Sequence, residues 1–88
     1  MPHEVVIGLG SNIDPEANLE QAVLELESRF KVSKRSKWTR TKPIGIHDQP
    51  DFYNGALLME TELEQQNLKK ELKQIELFVA LENLYLYT

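Results

Sequence analysis

An α+β sandwich, with two helices on one face of an antiparallel sheet, is the fold class this sequence predicts. Two short stretches, near the N-terminus and over 52–61, are apolar and rich in β-branched or aromatic residues, as strands are. Two longer stretches, beginning at Pro15 and after Thr61, instead repeat apolar residues at helical spacing. In chain order the segments read strand, helix, strand, strand, helix.

The first strand is Val5-Val6-Ile7-Gly8-Leu9, ended by a turn at Gly10-Ser11-Asn12. Asp14-Pro15-Glu16 then starts a helix. Asp14 is placed to cap, Pro15 suits the first helical position, and Glu16 favours the positive end of the dipole. Leu19, Ala22, Val23, Leu26 and Phe30 give that helix one buried face, while Glu20, Glu25 and Glu27 face solvent. From Lys31 to Thr41 neither period is strong. Val32 and Trp38 fall in the same phase, which fits an irregular or edge strand.

The segment from Thr39 to Asn54 is long for a connection between strands. Pro43 and Pro50 each fix a φ angle and hold the preceding residue extended, and Gly45 permits a turn. A shaped loop that ends in Phe52 and Asn54 offers a stacking surface beside an amide that both donates and accepts. Those parts hold a flat heterocycle. The alternative is a packed β-connection with no ligand. After it, Phe52 to Thr61 reads as a central strand. Ala56 and Leu58 lie on one side of it, and Tyr53, Leu57 and Met59 on the other. Thr61-Glu62-Leu63-Glu64 has the form of a capping box, and Leu68, Leu72, Ile75 and Val79 continue as a second helix. Leu84-Tyr85-Leu86-Tyr87 is strand-like. It has two placements: paired back into the sheet, giving βαββαβ, the ferredoxin-like pattern, or left as a tail that drives homo-oligomer formation.

The 88 residues suit one domain with a modest core, 1–88, of which 77–88 is an atypical tail. Without cysteine there is neither a disulfide nor thiol chemistry. No apolar run reaches membrane-spanning length and the N-terminus lacks a signal peptide's regions, so the expectation is a cytoplasmic protein with no membrane partner. A pI of about 5.1 and the lack of a recognised motif argue against nucleic acid. Lys31, Lys34, Arg35, Lys37, Arg40 and Lys42 hold six of the ten basic residues in a segment with no acid. Such a segment attracts a nucleotide phosphate or, more simply, is a solvated sheet edge.

Gly8-Leu9-Gly10 before a helix lacks the third glycine of a dinucleotide fingerprint and the Gly-Lys-Ser/Thr of a P-loop, and reads best as a strand-to-helix turn. His3 and His47 have no ligand spacing, and Ser11 has no histidine near it in sequence. Asp48 and Asp51 are explained by loop solvation. Residue pattern alone stops at a small α+β domain with a ligand-like loop.

Three pieces taken together carry a resemblance. They are Ile7-Gly8-Leu9-Gly10-Ser11-Asn12, Arg40-Thr41-Lys42-Pro43-Ile44-Gly45 and Asp48-Gln49-Pro50-Asp51-Phe52-Tyr53-Asn54-Gly55-Ala56. With Gln74-Ile75-Glu76 after them, the chain resembles the N-terminal half of the 6-hydroxymethyl-7,8-dihydropterin pyrophosphokinase (HPPK) family, over roughly residues 4 to 76. The resemblance implies a ferredoxin-like fold and, in folate synthesis, transfer of a pyrophosphoryl group from ATP to a pterin hydroxymethyl group, with magnesium. It implies that Thr41, Pro43 and Ile44 line the pterin pocket, that Phe52 stacks on the ring and that Asn54 bonds its edge. Gly10, Ser11 and Asn12 become an active-site loop, and Glu76 stands near the nucleotide. Lys42 stands where the family often has proline, a departure that touches only loop rigidity.

The tail departs further from the family. There, Ile-Glu leads into a Gly-Arg segment and then an Arg-Trp/Phe-Gly-Pro-Arg-Thr-x-Asp-x-Asp stretch, which supplies phosphate-binding arginines and the magnesium aspartates. Here Glu76 is followed by Leu77-Phe78-Val79-Ala80-Leu81-Glu82-Asn83, no Asp-x-Asp occurs, and nothing basic lies after Lys73. Phosphoryl transfer rests on positioning and charge neutralisation. The expectation is therefore a family member that is truncated and catalytically impaired, with no catalytic residue and no metal ligand assigned. The alternatives are a non-catalytic pterin-binding module and a self-associating structural domain.

Overall fold

In the computed structural model, which describes residues 1–42, 51–79 and 84–88, the N-terminal apolar run forms strand β1 (His3–Ser11). Helix α1 (Pro15–Arg29) follows, then strands β2 (Lys31–Arg35) and β3 (Thr39–Thr41), strand β4 (Phe52–Thr61), helix α2 (Gln65–Val79) and strand β5 (Leu84–Tyr87). All strand pairings are antiparallel. β4 pairs with β1 on one side and with both β2 and β3 on the other, and β5 pairs with the far side of β1. The sheet order is therefore β2-β4-β1-β5, with β3 continuing the β2 edge past a break. This is the ferredoxin-like α+β arrangement, and the C-terminal segment takes the first of its two placements, paired into the sheet.

Both helices cover one face. Ile7, Leu9, Leu57, Met59, Leu84 and Leu86 point to that side and share a core with Leu19, Ala22, Val23 and Leu26 of α1 and Leu68, Leu72 and Ile75 of α2. Each buried aliphatic side chain stabilises the fold by about 1.5–3 kcal/mol relative to exposure. Val32 and Trp38, in the same phase, both lie against this core. Where β2 breaks, Ser36 takes over the pairing. Its N–H donates to the Ala56 carbonyl and its Oγ accepts from the Ala56 N–H, both at 2.9 Å.

Trp38 sits over Gly55, where a Cβ would run into the indole ring. Its Nε1 donates to Glu20 Oε2 on α1 at 2.8 Å, and the Arg35 guanidinium lies 5.3 Å from the centre of its ring. Arg35 also bonds both Glu20 oxygens. The Arg35 hydrogen bond, followed by that of Trp38, holds the Glu20 carboxyl below its ordinary value. The basic segment thus serves largely as a sheet edge: Lys31, Arg35 and Arg40 pair with Glu60, Glu20 and Asp51, acids brought from other elements.

Three local expectations are corrected. Asp14 occupies the cap position of α1 in the left-handed region (φ 42°), where its side chain makes no cap bond. Asn18 instead closes the turn, through Nδ2 to the Ile13 carbonyl at 2.7 Å. Thr61 does not cap α2, because it is the last rung of β4, paired with His3, and its Oγ1 accepts from the Leu63 N–H in a local turn. α2 starts later, at Gln65. Gly10 and Ser11 are strand residues, so the turn after β1 begins at Asn12. Among the described residues no helix is long and apolar enough to cross a membrane.

Candidate functional site

Strand alternation sends Phe52, Asn54 and Ala56 to the face the helices leave open, since Leu57 and Met59 face the core. Cross-strand pairing sets Thr41 beside Phe52 and Thr39 beside Asn54 from β3. From β1, Gly10 stands beside Asn54 and Gly8 beside Ala56. β5 contributes Tyr85 opposite Gly10 and Tyr87 opposite Gly8.

Gly10 is what makes room here. A Cβ at that position would stand 2.8 Å from Asn54 Oδ1. Without it, the Asn54 amide lies across β1, and its Nδ2 donates to Thr41 Oγ1 at 2.9 Å. Among the described residues the second N–H and Oδ1 of Asn54 have no partner, which leaves one donor and one acceptor directed by the Thr41 bond. Phe52 is half-buried, its ring 6.1 Å from that of Tyr85 and tilted by 43°. Beyond Thr41, the Arg40 Nε–Asp51 Oδ2 ion pair at 2.7 Å closes the base of the connection from β3 to β4. Pro43 and Ile44, expected in the pocket wall, lie outside the described residues. Oδ1 of Asn12, the first residue after β1, is buried and has no hydrogen-bond partner among the described residues.

The structure gathers Thr41, Phe52, Asn54 and Gly10 on one face. It places two other expected residues elsewhere. Ser11 is fully buried on the helix side and donates to the Ile13 carbonyl at 3.2 Å, so its hydroxyl shapes the turn. Glu76 accepts from the Leu86 N–H through Oε2 at 2.7 Å, with Lys73 Nζ 3.4 Å from its other oxygen. It tethers β5 to α2. Tyr85 and Tyr87 were not expected at the site. The alternation Leu84-Tyr85-Leu86-Tyr87 was the available signal, because it buries the leucines and turns both tyrosines to the open face.

Among the described residues, no three His, Cys, Asp or Glu side chains come together as metal ligands. Asp51, the carboxylate next to Phe52, is held by Arg40.

Residues 6–83 match the model of the family described as 7,8-dihydro-6-hydroxymethylpterin-pyrophosphokinase (HPPK). The chain is 41% identical over 76 residues to the "Folate synthesis bifunctional protein, mitochondrial" of Arabidopsis thaliana, covering 84% of this chain and 14% of that protein. It is 36% identical over 73 residues to the 2-amino-4-hydroxy-6-hydroxymethyldihydropteridine pyrophosphokinase of Haemophilus influenzae, covering 80% of this chain and 46% of the relative. The protein of that name from Bacillus subtilis is 41% identical over 73 residues, covering 80% of this chain and 44% of the relative. The chain spans less than half the length of these relatives.

Proposed function

The chain belongs to the HPPK family, and from that membership we propose that its open sheet face binds the pterin ring of a 6-hydroxymethyl-7,8-dihydropterin. The observation that carries this is the Asn54 amide, cleared by Gly10 and oriented by Thr41, beside the Phe52 ring. A pterin is a flat bicycle with alternating donors and acceptors on its edge. Phe52 stacks on it, Asn54 pairs with the edge, and Thr41 keeps the amide from rotating.

The family reaction, transfer of a pyrophosphoryl group from ATP to the pterin hydroxymethyl group, is the context in which that binding serves folate synthesis. Magnesium, where bound, neutralises the phosphate charge. The part this chain plays is to hold and orient the acceptor. With no Asp-x-Asp and no basic residue after Lys73, the chain by itself transfers poorly. A nucleotide role for Glu76 requires it to release the Leu86 amide.

Two measurements on one sample test this reading. Calorimetric titration of 6-hydroxymethyl-7,8-dihydropterin gives binding, weakened by about 1–3 kcal/mol in Phe52→Ala. Equal affinity in the variant removes Phe52 from the site. Adding ATP and magnesium gives no AMP above a buffer blank. AMP release above it would mean that other groups neutralise the phosphates and that the chain is a working transferase.

A further inference from the structure

β5 is an outermost strand of the sheet, and a carboxylate guards its free edge. In the antiparallel ladder with β1, successive backbone groups of β5 point alternately towards β1 and away from it. The Leu86 N–H points away, since it donates to Glu76 Oε2 of α2 at 2.7 Å. The Leu86 carbonyl shares that direction and has no partner among the described residues. The opposite edge of the sheet is blunted: β2 carries Lys31, Lys34 and Arg35, and its register shifts between Val32 and Lys34. β5, Leu84-Tyr85-Leu86-Tyr87, has no charge, no proline and no register shift.

A groove of about 260 Å³ runs along this edge, between β5 and α2. Leu72 and Leu86 give it an apolar base, and Lys69, Lys73 and Glu76 line it. It is smaller than the roughly 300–1,000 Å³ of sites that enclose a small ligand, and it suits side chains of a strand laid along the edge. Lys69 has no acid among its helical neighbours Gln65, Gln66, Leu72 and Lys73. We infer that this edge docks an extended, acidic segment of a partner protein as an added strand. A carbonyl of the segment takes the Leu86 N–H from Glu76, and an N–H of the segment donates to the Leu86 carbonyl. The displaced carboxylate keeps a partner, because Lys73 Nζ lies 3.4 Å from its other oxygen. Acidic side chains on the helix side lay their methylenes over Leu72 and Leu86 and reach Lys69 and Lys73. A second copy of this chain fits worse. A two-fold axis normal to the sheet joins β5 to β5 with all helices on one side, and so brings two lysine-lined grooves together.

The experiment titrates the full, isotope-labelled chain with a short peptide of alternating glutamate and valine, and separately with its lysine-for-glutamate counterpart. Backbone amides are followed by NMR. The acidic peptide should shift Leu86 and its neighbours in β5, and the lysine peptide should leave them in place. Lys69→Glu, which gains a helical pair with Lys73 and so keeps the fold, should weaken binding roughly two- to thirtyfold. Glu76→Ala opens the Leu86 amide and, where circular dichroism shows it folded, should strengthen binding roughly tenfold or more. If that variant does not fold, the unaltered chain and Lys69→Glu decide the matter. An acidic peptide that leaves Leu86 unmoved overturns the inference, as does a lysine peptide that shifts it equally. If Glu76→Ala dimerises in size-exclusion chromatography while the acidic peptide moves nothing in β5, the edge takes a second copy and the inference falls.

Discussion

A single missing methyl group shapes the open face. In a strand, Gly10 would ordinarily be a weak choice, and alanine there reduces the freedom of the unfolded chain, which stabilises by about 0.4–1 kcal/mol where space allows. Space does not allow it, because the Cβ meets Asn54 Oδ1 at 2.8 Å. The amide must swing away and give up its Thr41 bond, worth about 0.5–1.5 kcal/mol. The two effects nearly cancel in stability and do not cancel in binding. Gly10→Ala should leave the urea midpoint almost unmoved and weaken pterin binding by at least the value of that one hydrogen bond. Unchanged affinity would show that the Asn54 orientation is not used. The sequence made Gly8-Leu9-Gly10 visible but read it as the approach to a turn. The better signal was its spacing, since two glycines two apart in a strand clear one face.

Among the elements, the strands and helices with strong period were legible: α1 ends within a residue of its expected end, and β4 occupies its expected span. What failed were the caps. Asp14 and Thr61 both have cap chemistry, but Thr61 is claimed by its rung opposite His3 and Asp14 by a left-handed turn. Strand register is set from across the sheet, so a local motif cannot report it. The same holds for Glu20, which looked like a solvated helix-face acid and joins α1 to the β2–β3 edge through Arg35 and Trp38. Its carboxyl is held below the ordinary 4.5, principally by the Arg35 hydrogen bond. A lowered folded value means the contribution is present above the unfolded value and is lost as pH falls through the folded one. Chemical denaturation across pH should therefore find Glu20→Gln less stable than the unaltered chain near neutrality. The gap should close as pH drops below about 4.5. Half of this side chain is exposed, so screening keeps the gap small and shrinks it further in salt. A gap constant from neutral to acid pH would mean that the charge on Glu20 contributes nothing.

At the scale of the molecule, the question is whether β5 belongs to the fold or merely decorates it. The tail looked foreign because it matches nothing expected after Glu76, and its partner strand lies at the other end of the chain, so sequence proximity could not place it. In the sheet, β5 covers the outer edge of β1 from Gly8 to Ser11 and contributes Leu84 and Leu86 to the core. Burial of those two side chains is worth about 3–6 kcal/mol, a large share of the roughly 5–15 kcal/mol by which small domains are stable. Removing β5 also bares the edge of β1 next to Ile7 and Leu9, an apolar edge that invites pairing with another chain. A chain ending at residue 83 should therefore unfold at much lower urea concentration than the 88-residue chain. In size-exclusion chromatography it should run as an associated species. A shortened chain that stays monomeric and keeps its midpoint would put β5 outside the cooperative unit.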